Sequence, residues 1–126
     1  MTSPLYRTEI VKEDIAIGAS ATVELIKQKR LSDGMSPVIV DADVAADPTV
    51  TTGVTLVLQH RVSDDNSWTD VKSANITTDG RVTLTLNPHA SGDASNYPLR
   101  TMLRVVVKTG AGDALTITKA QLTRNN

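Results

Sequence analysis

Apolar and polar residues alternate along most of this chain, and short polar clusters interrupt the alternation at regular intervals. Arg81 to Asn87 is the clearest stretch, with Val82, Leu84 and Leu86 on one side and Arg81, Thr83 and Thr85 on the other. A period of two places successive side chains on opposite faces of a strand. Val54 to Ser63 repeats the pattern with Val54, Leu56, Leu58, His60 and Val62 on one face. Ser20 to Gln28 sets Ala21, Val23 and Leu25 against Thr22 and Glu24, and Leu99 to Thr109 sets Leu103, Val105 and Val107 inward. Shorter runs at Leu5 to Val11, Ile15 to Ile17, Val38 to Val40, Trp68 to Ala74 and Ala114 to Thr123 bring the expected total to about eight or nine strands. Ser32-Asp33-Gly34, Asp64 to Ser67, Thr78-Asp79-Gly80 and Gly110 to Asp113 read as turns.

Two of these units, Leu56 to Val71 and Pro98 to Ile117, read as antiparallel hairpins closed by a polar turn. Asp41 to Gly53, with Pro48 unable to donate to a ladder, and Pro88 to Tyr97 read as irregular loops. No stretch longer than a turn or two shows a 3.6-residue apolar stripe, and Asp43 to Ala46 has room for one helical turn. There is no internal repeat. The pattern predicts an all-β chain, an antiparallel β-sandwich or jelly roll, as one domain over residues 1–126. Residues 1–11 are expected to form an extended N-terminal arm.

Composition sharpens this picture. The 126 residues include no Phe and only three aromatics, Tyr6, Trp68 and Tyr97, so 14 Val, 11 Leu and 7 Ile must fill the core. With 17 Thr the β-branched residues number 38, and these lose little χ1 freedom on a pleated surface. Thirteen basic against fourteen acidic residues leave a formal charge of −1, which provides no field to hold a polyanion, so no nucleic-acid partner is expected. The absence of Cys excludes disulfides and thiolate metal sites. MTSPLYRTEIVKED lacks the basic and apolar regions of a signal peptide. No apolar run reaches the roughly 20 residues that span a bilayer, so no membrane partner is expected.

Candidate chemistry is sparse. His60 sits on an inward strand position and His89 in the Pro88 loop; neither has a nucleophile or carboxylate arranged on it in the sequence. No catalytic residue and no cofactor is expected. Asp41, Asp43 and Asp47 offer oxygens of the kind calcium takes, without the glycine and bidentate glutamate of an EF-hand loop; surface carboxylates are the simpler reading, and no metal site is assigned. Ser63 to Trp68 is close to the Asp-box turn (S-x-D-x-G-x-x-W) of carbohydrate-active β-proteins, with Ser67 at the glycine position and Trp68 one residue early. Trp68 could face a sugar, but a lone ring more simply caps the core. Arg100, Arg104 and Lys108 share one parity with Met102 and Val106 between them, so that face is either solvated or a protein-binding surface, Met and Arg both being enriched in interfaces.

The hairpin LxLQHxxxDxxxWTDV followed by PLRxxLRVVVxTGAGDALTI resembles small virion proteins of tailed bacteriophages, above all head decoration or cement proteins. The resemblance covers roughly residues 54–123. It implies a non-enzymatic protein that binds the major capsid protein on the outer capsid surface as a dimer or trimer. It also implies assembly in the host cytoplasm and a final place on the virion. Partner-binding residues expected on this reading are Leu5, Tyr6 and Arg7 in the arm, and Arg100, Met102, Arg104 and Lys108 on the basic face. The alternative is a carbohydrate-binding or host-recognition domain of a phage tail or fibre, centred on Trp68 and the Pro88 to Tyr97 loop. A small hydrolase would need a polar constellation that the sequence does not display.

Overall fold

The computed structural model describes residues 6–29 and 35–125; Leu5 and the turn expected at Ser32-Asp33-Gly34 lie outside them. Nine strands follow one another among the described residues: β1 (Tyr6–Val11), β2 (Ile15–Ile17), β3 (Thr22–Lys29), β4 (Val38–Val44), β5 (Val54–Arg61), β6 (Thr69–Ile76), β7 (Gly80–Leu86), β8 (Met102–Lys108) and β9 (Leu115–Asn125). They form two antiparallel sheets, one ordered β1-β9-β4-β7 with β2 also paired to β9, the other ordered β3-β8-β5-β6. The all-β expectation holds in its sandwich form.

The core lies between the sheets and is almost wholly aliphatic. Val38, Val40, Ala42 and Val44 of β4 and Leu84 and Leu86 of β7 face Leu56 and Leu58 of β5 and Leu103, Val105 and Val107 of β8. Each fully buried Val or Leu contributes about 1.5–3 kcal/mol relative to an exposed one, so this alternation is the main driving force for the fold. The only helical turn among the described residues is a short 3₁₀ segment, Ala94–Asn96, rather than one at Asp43 to Ala46. It sits in the Pro88 to Tyr97 loop, which ends at a cis Tyr97–Pro98 bond.

Four sequence expectations need correction. Asp41 and Asp43 belong to β4, not to a loop; the strand continues because Val38, Val40, Ala42 and Val44 keep the inward period. The stretch Ala21, Val23, Leu25 does not alternate cleanly, since a bulge between Glu24 and Ile26 lets both Leu25 and Ile26 point into the core. The described part of the N-terminal arm is not free, because Tyr6 to Val11 pairs residue by residue with β9. Finally, Pro98 to Ile117 is not a hairpin, since β8 and β9 lie in different sheets.

The reason for the last correction is the corner at Asp113. This carboxylate is buried and accepts from the backbone N–H groups of Thr51 (2.7 Å), Thr52 (2.9 Å), Gly53 (3.2 Å) and Gly110 (2.7 Å). It thereby ties the β8–β9 turn to the β4–β5 connection, and Thr49 bridges to Ala114 alongside it. The chain is drawn across the sandwich instead of folding back on β8. Gly110 allows the approach: a Cβ there would lie 2.7 Å from Thr52 Cβ.

Candidate functional site

The outward face of the four-stranded sheet is where the structure departs furthest from a plain solvated surface. On β8 the outward residues are Met102, Arg104, Val106 and Lys108, and β5 sets Thr55, Val57, Gln59 and Arg61 beside them. Met102 (4 % exposed), Val106 (0 %) and Val57 (2 %) are buried although they lie on the outside of the sandwich. Expectation had left Met102 exposed. A layer of long side chains covers the apolar row, as arginine and lysine stems do when their heads stay in water.

Trp68 anchors that layer. The guanidinium carbons of Arg61 and Arg104 lie 4.2 and 4.5 Å from its ring centroid, within the range of a cation–π contact. A buried Arg61 Nε has no hydrogen-bond acceptor, which leaves the Trp68 π-face as its compensating contact. Arg104 donates from Nε to Gln59 Oε1 at 2.7 Å, and Gln59 Nε2 donates to Asp70 Oδ1 at 2.7 Å. Arg104 also lies 3.7 Å from Glu24, Lys108 lies 3.5 Å from Asp70 and Arg61 lies 2.9 Å from Asp64. Pairs with at least one partner open to solvent contribute little stability individually. Together they hold the layer in one arrangement and neutralise it, so the face expected to be basic carries matched charges.

At one end this face opens into a groove of about 530 Å³ lined by His60, Val62, Thr69, Asp70, Ser95, Asn96, Tyr97, Pro98, Leu99, Arg100 and Thr101. A smaller groove of about 250 Å³ shares His60, Val62, Thr69 and Arg100 with it. Arg100 is therefore not in register with Arg104 and Lys108: it precedes β8 and lines the groove. Its backbone N–H donates to His60 Nδ1 at 3.1 Å, so the neutral imidazole carries its proton on Nε2. Burial, and then the positive charge of Arg100, hold the His60 pKa below its usual 6.5. Tyr97 closes the far wall by donating its hydroxyl to the Ser36 carbonyl (2.9 Å), and burial pushes its pKa up to about 12.

The His60 shift has a consequence for stability. In the unfolded chain His60 binds a proton more readily than in the folded one, so stability falls as pH drops below 6.5 and continues to fall until the folded imidazole titrates. An NMR titration of the imidazole C–H protons should place His60 below 6.5, and His60→Gln should flatten that part of the stability profile. A His60 midpoint at or above 6.5 would contradict the environment described.

The residues expected to bind a partner are not brought together. Tyr6 and Arg7 are on β1, at the edge of the five-stranded sheet, while Met102, Arg104 and Lys108 are on the outside of the other sheet and Arg100 is in the groove. Gln59, Asp70, Glu24 and Arg61 complete the site and were not singled out in the sequence; the parity of Gln59, opposite to Leu58 and His60, was the available signal. Asp41 accepts from Thr83 Oγ1 at 2.6 Å and Asp43 pairs with Arg81 at 3.0 Å. No group of three acidic or histidine residues among the described residues is placed to hold a metal ion. No helix of the described residues is long and apolar enough to cross a membrane.

No family model and no curated protein matches the chain. Among solved structures it is similar to a chain of infectious bursal disease virus, Gx strain, with a TM-score of 0.51 and 14% identity over 98% of this chain and 32% of that one. It is also similar to the disulfide-linked pili of Bacillus endospore appendages (TM-score 0.49, 14% identity, covering 99% and 91%). A Yersinia pseudotuberculosis-derived mitogen matches with a TM-score of 0.48 and 16% identity, covering 98% and 86%. At 14% identity the likeness to the virus chain speaks to the fold alone.

Proposed function

We propose that this chain is a non-enzymatic structural protein of a virion, of the head-decoration kind, that docks on a capsid through the outward face of its four-stranded sheet. The observation that carries the reading is the Arg61–Trp68–Arg104 stack over the buried row Val57, Val106 and Met102. Trp and Arg are the residues most often found as binding hot spots, and here their side chains are ordered before any partner arrives, which lowers the entropic cost of association. Since Glu24, Asp64 and Asp70 balance the cations, the partner surface is polar and mixed in charge, not strongly acidic. The virus-particle chain with the same fold supports the setting.

The action would be mass action. A subunit that binds only the assembled shell stabilises it by about 2.7 kcal/mol per site at a hundredfold excess over Kd, repeated at every equivalent position of a symmetric shell. Co-sedimentation with purified heads of the source particle tests this. The wild type should bind saturably at stoichiometric copy number, and Trp68→Ala, with its circular dichroism unchanged, should weaken binding about thirtyfold or more. No binding to heads by the wild type would overturn the reading.

The polar lining of the 530 Å³ groove favours one alternative, recognition of a glycan by a tail or fibre domain. A sugar stacking on Trp68 would have to displace a guanidinium, so Asn96, Asp70 and Arg100 would supply the contacts instead. Saturable glycan binding lost in Asn96→Ala and retained in Trp68→Ala would select this alternative.

A further inference from the structure

Around the outward face of the four-stranded sheet most cations are matched. Arg61, Arg104 and Lys108 each lie against a carboxylate, and Lys72 lies 2.9 Å from Asp93. Arg100 differs: it is exposed, it lines both grooves, and no carboxylate among the described residues forms an ion pair with it. Its hydrogen bond to those residues is made by the backbone N–H, to His60 Nδ1, so the guanidinium is left over. That bond places the imidazole proton on Nε2, which likewise donates to none of the described residues. Two unmet donor groups, one of them charged, therefore share a groove of about 530 Å³, within the range of about 300–1,000 Å³ common to small-molecule sites.

Unmet donors define what such a groove takes. An arginine fork grips a carboxylate through two parallel hydrogen bonds, and the His60 Nε2–H adds a third donor. Asp70 does not cancel the charge, since its Oδ1 accepts from Gln59 Nε2 at 2.7 Å and lies 3.5 Å from Lys108 Nζ. Its Oδ2 accepts from no described residue and suits a hydroxyl. The walls add the Asn96 amide and the ring of Tyr97, fixed because its hydroxyl bonds to the Ser36 and Leu86 carbonyls. A fixed ring beside hydroxyl and amide groups suits a sugar, which has an apolar C–H face and a polar rim. A peptide fits less well, because it pairs through backbone groups and the donors along this wall are used or absent. The Asn96 N–H bonds to Asp93, that of Tyr97 to Ala94 and that of Arg100 to His60, and Pro98 has none.

We infer that this groove binds an acidic saccharide, whose carboxylate is received by the Arg100 guanidinium and the His60 Nε2–H while Asp70 and Asn96 bond to ring hydroxyls. The proposed site presupposes the glycan reading of the groove and adds a charge to its ligand. It leaves the Trp68 face free.

NMR titration of the full-length protein near neutral pH and at low salt tests it, following the Arg100 amide and the His60 Cε1–H. The probes are trigalacturonate and sialyllactose, with galactotriose and lactose as their neutral counterparts and triglutamate as an acidic peptide. At least one acidic saccharide should bind saturably, about tenfold or more tighter than its neutral counterpart. Arg100→Gln should remove that difference, and Arg100→Lys should keep only part of it, since an ammonium offers the charge without the fork. Both variants keep the backbone N–H that holds His60 and change only an exposed side chain, so the fold is retained. Equal affinity for acidic and neutral sugars, or a preference that survives Arg100→Gln, would overturn the inference and leave a glycan groove without a charge requirement. Triglutamate binding more tightly than either saccharide would overturn it in favour of an acidic peptide. Binding by none of the probes would overturn both the acidic ligand and the glycan reading.

Discussion

Replacing Asp113 with alanine is expected to lower the melting temperature by about 10 °C or more. This side chain is 1 % exposed and is the sole carboxylate at a corner where four backbone N–H groups converge. Truncation orphans all four in a place where water has little access, and an unmet buried donor costs far more than a hydrogen bond gains. Asp113→Asn should fall between wild type and alanine. One of its two terminal atoms remains an acceptor, while the other becomes an NH₂ group facing N–H donors.

The same corner sets an acid limit. The four backbone hydrogen bonds hold the Asp113 pKa down at about 2, against an ordinary 3.8. A depressed carboxylate pKa means that the unfolded chain binds the proton first, so the stabilisation is complete above about pH 4 and is lost as pH falls toward 2. Urea midpoints of the wild type and of Asp113→Asn should therefore differ most near neutrality and converge between pH 4 and pH 2. A gap independent of pH would show that the corner works through shape and not through charge.

Asp113 also shows where the sequence stops being readable. Gly110 to Asp113 is a good turn, and alternating strands on either side make a good hairpin; nothing local says that the carboxylate will bond to Thr51, some 60 residues earlier. Sheet membership was lost for that reason, whereas Val82, Leu84 and Leu86 on β7 and Leu103, Val105 and Val107 on β8 were legible because strand parity is a local property. The site divided along the same line. Arg104 and Lys108 could be set on the outward face from parity alone. Gln59, Asp70 and Glu24 join them only through the registers of β5, β6 and β3, two of which contain bulges. Burial of Val106 and Met102 on an outward face was also hidden, since their neighbours Arg61, Val57 and Glu24 come from other strands.

Leu56→Ala should cost about 4–5 kcal/mol, near the top of the range for leucine truncation in a core. Leu56 is fully buried on a central strand, and its lateral neighbours on β8 and β6 are Val107 and Ala74. The cost of a leucine truncation depends on how far the surroundings collapse into the space left behind. Here they can do little: valine is restricted at χ1 and alanine has nothing to extend. No phenylalanine is present to tilt into the gap, so a core of leucine, valine and isoleucine gives up packing flexibility along with its aromatics. Urea unfolding should show the loss as a lowered midpoint at unchanged slope, and a loss below about 2 kcal/mol would mean that the surroundings collapse into the space after all. The variant also connects stability to assembly. If the chain coats a shell, bound copies regain about 2.7 kcal/mol at a hundredfold excess over Kd, so Leu56→Ala should melt measurably higher on heads than free in solution.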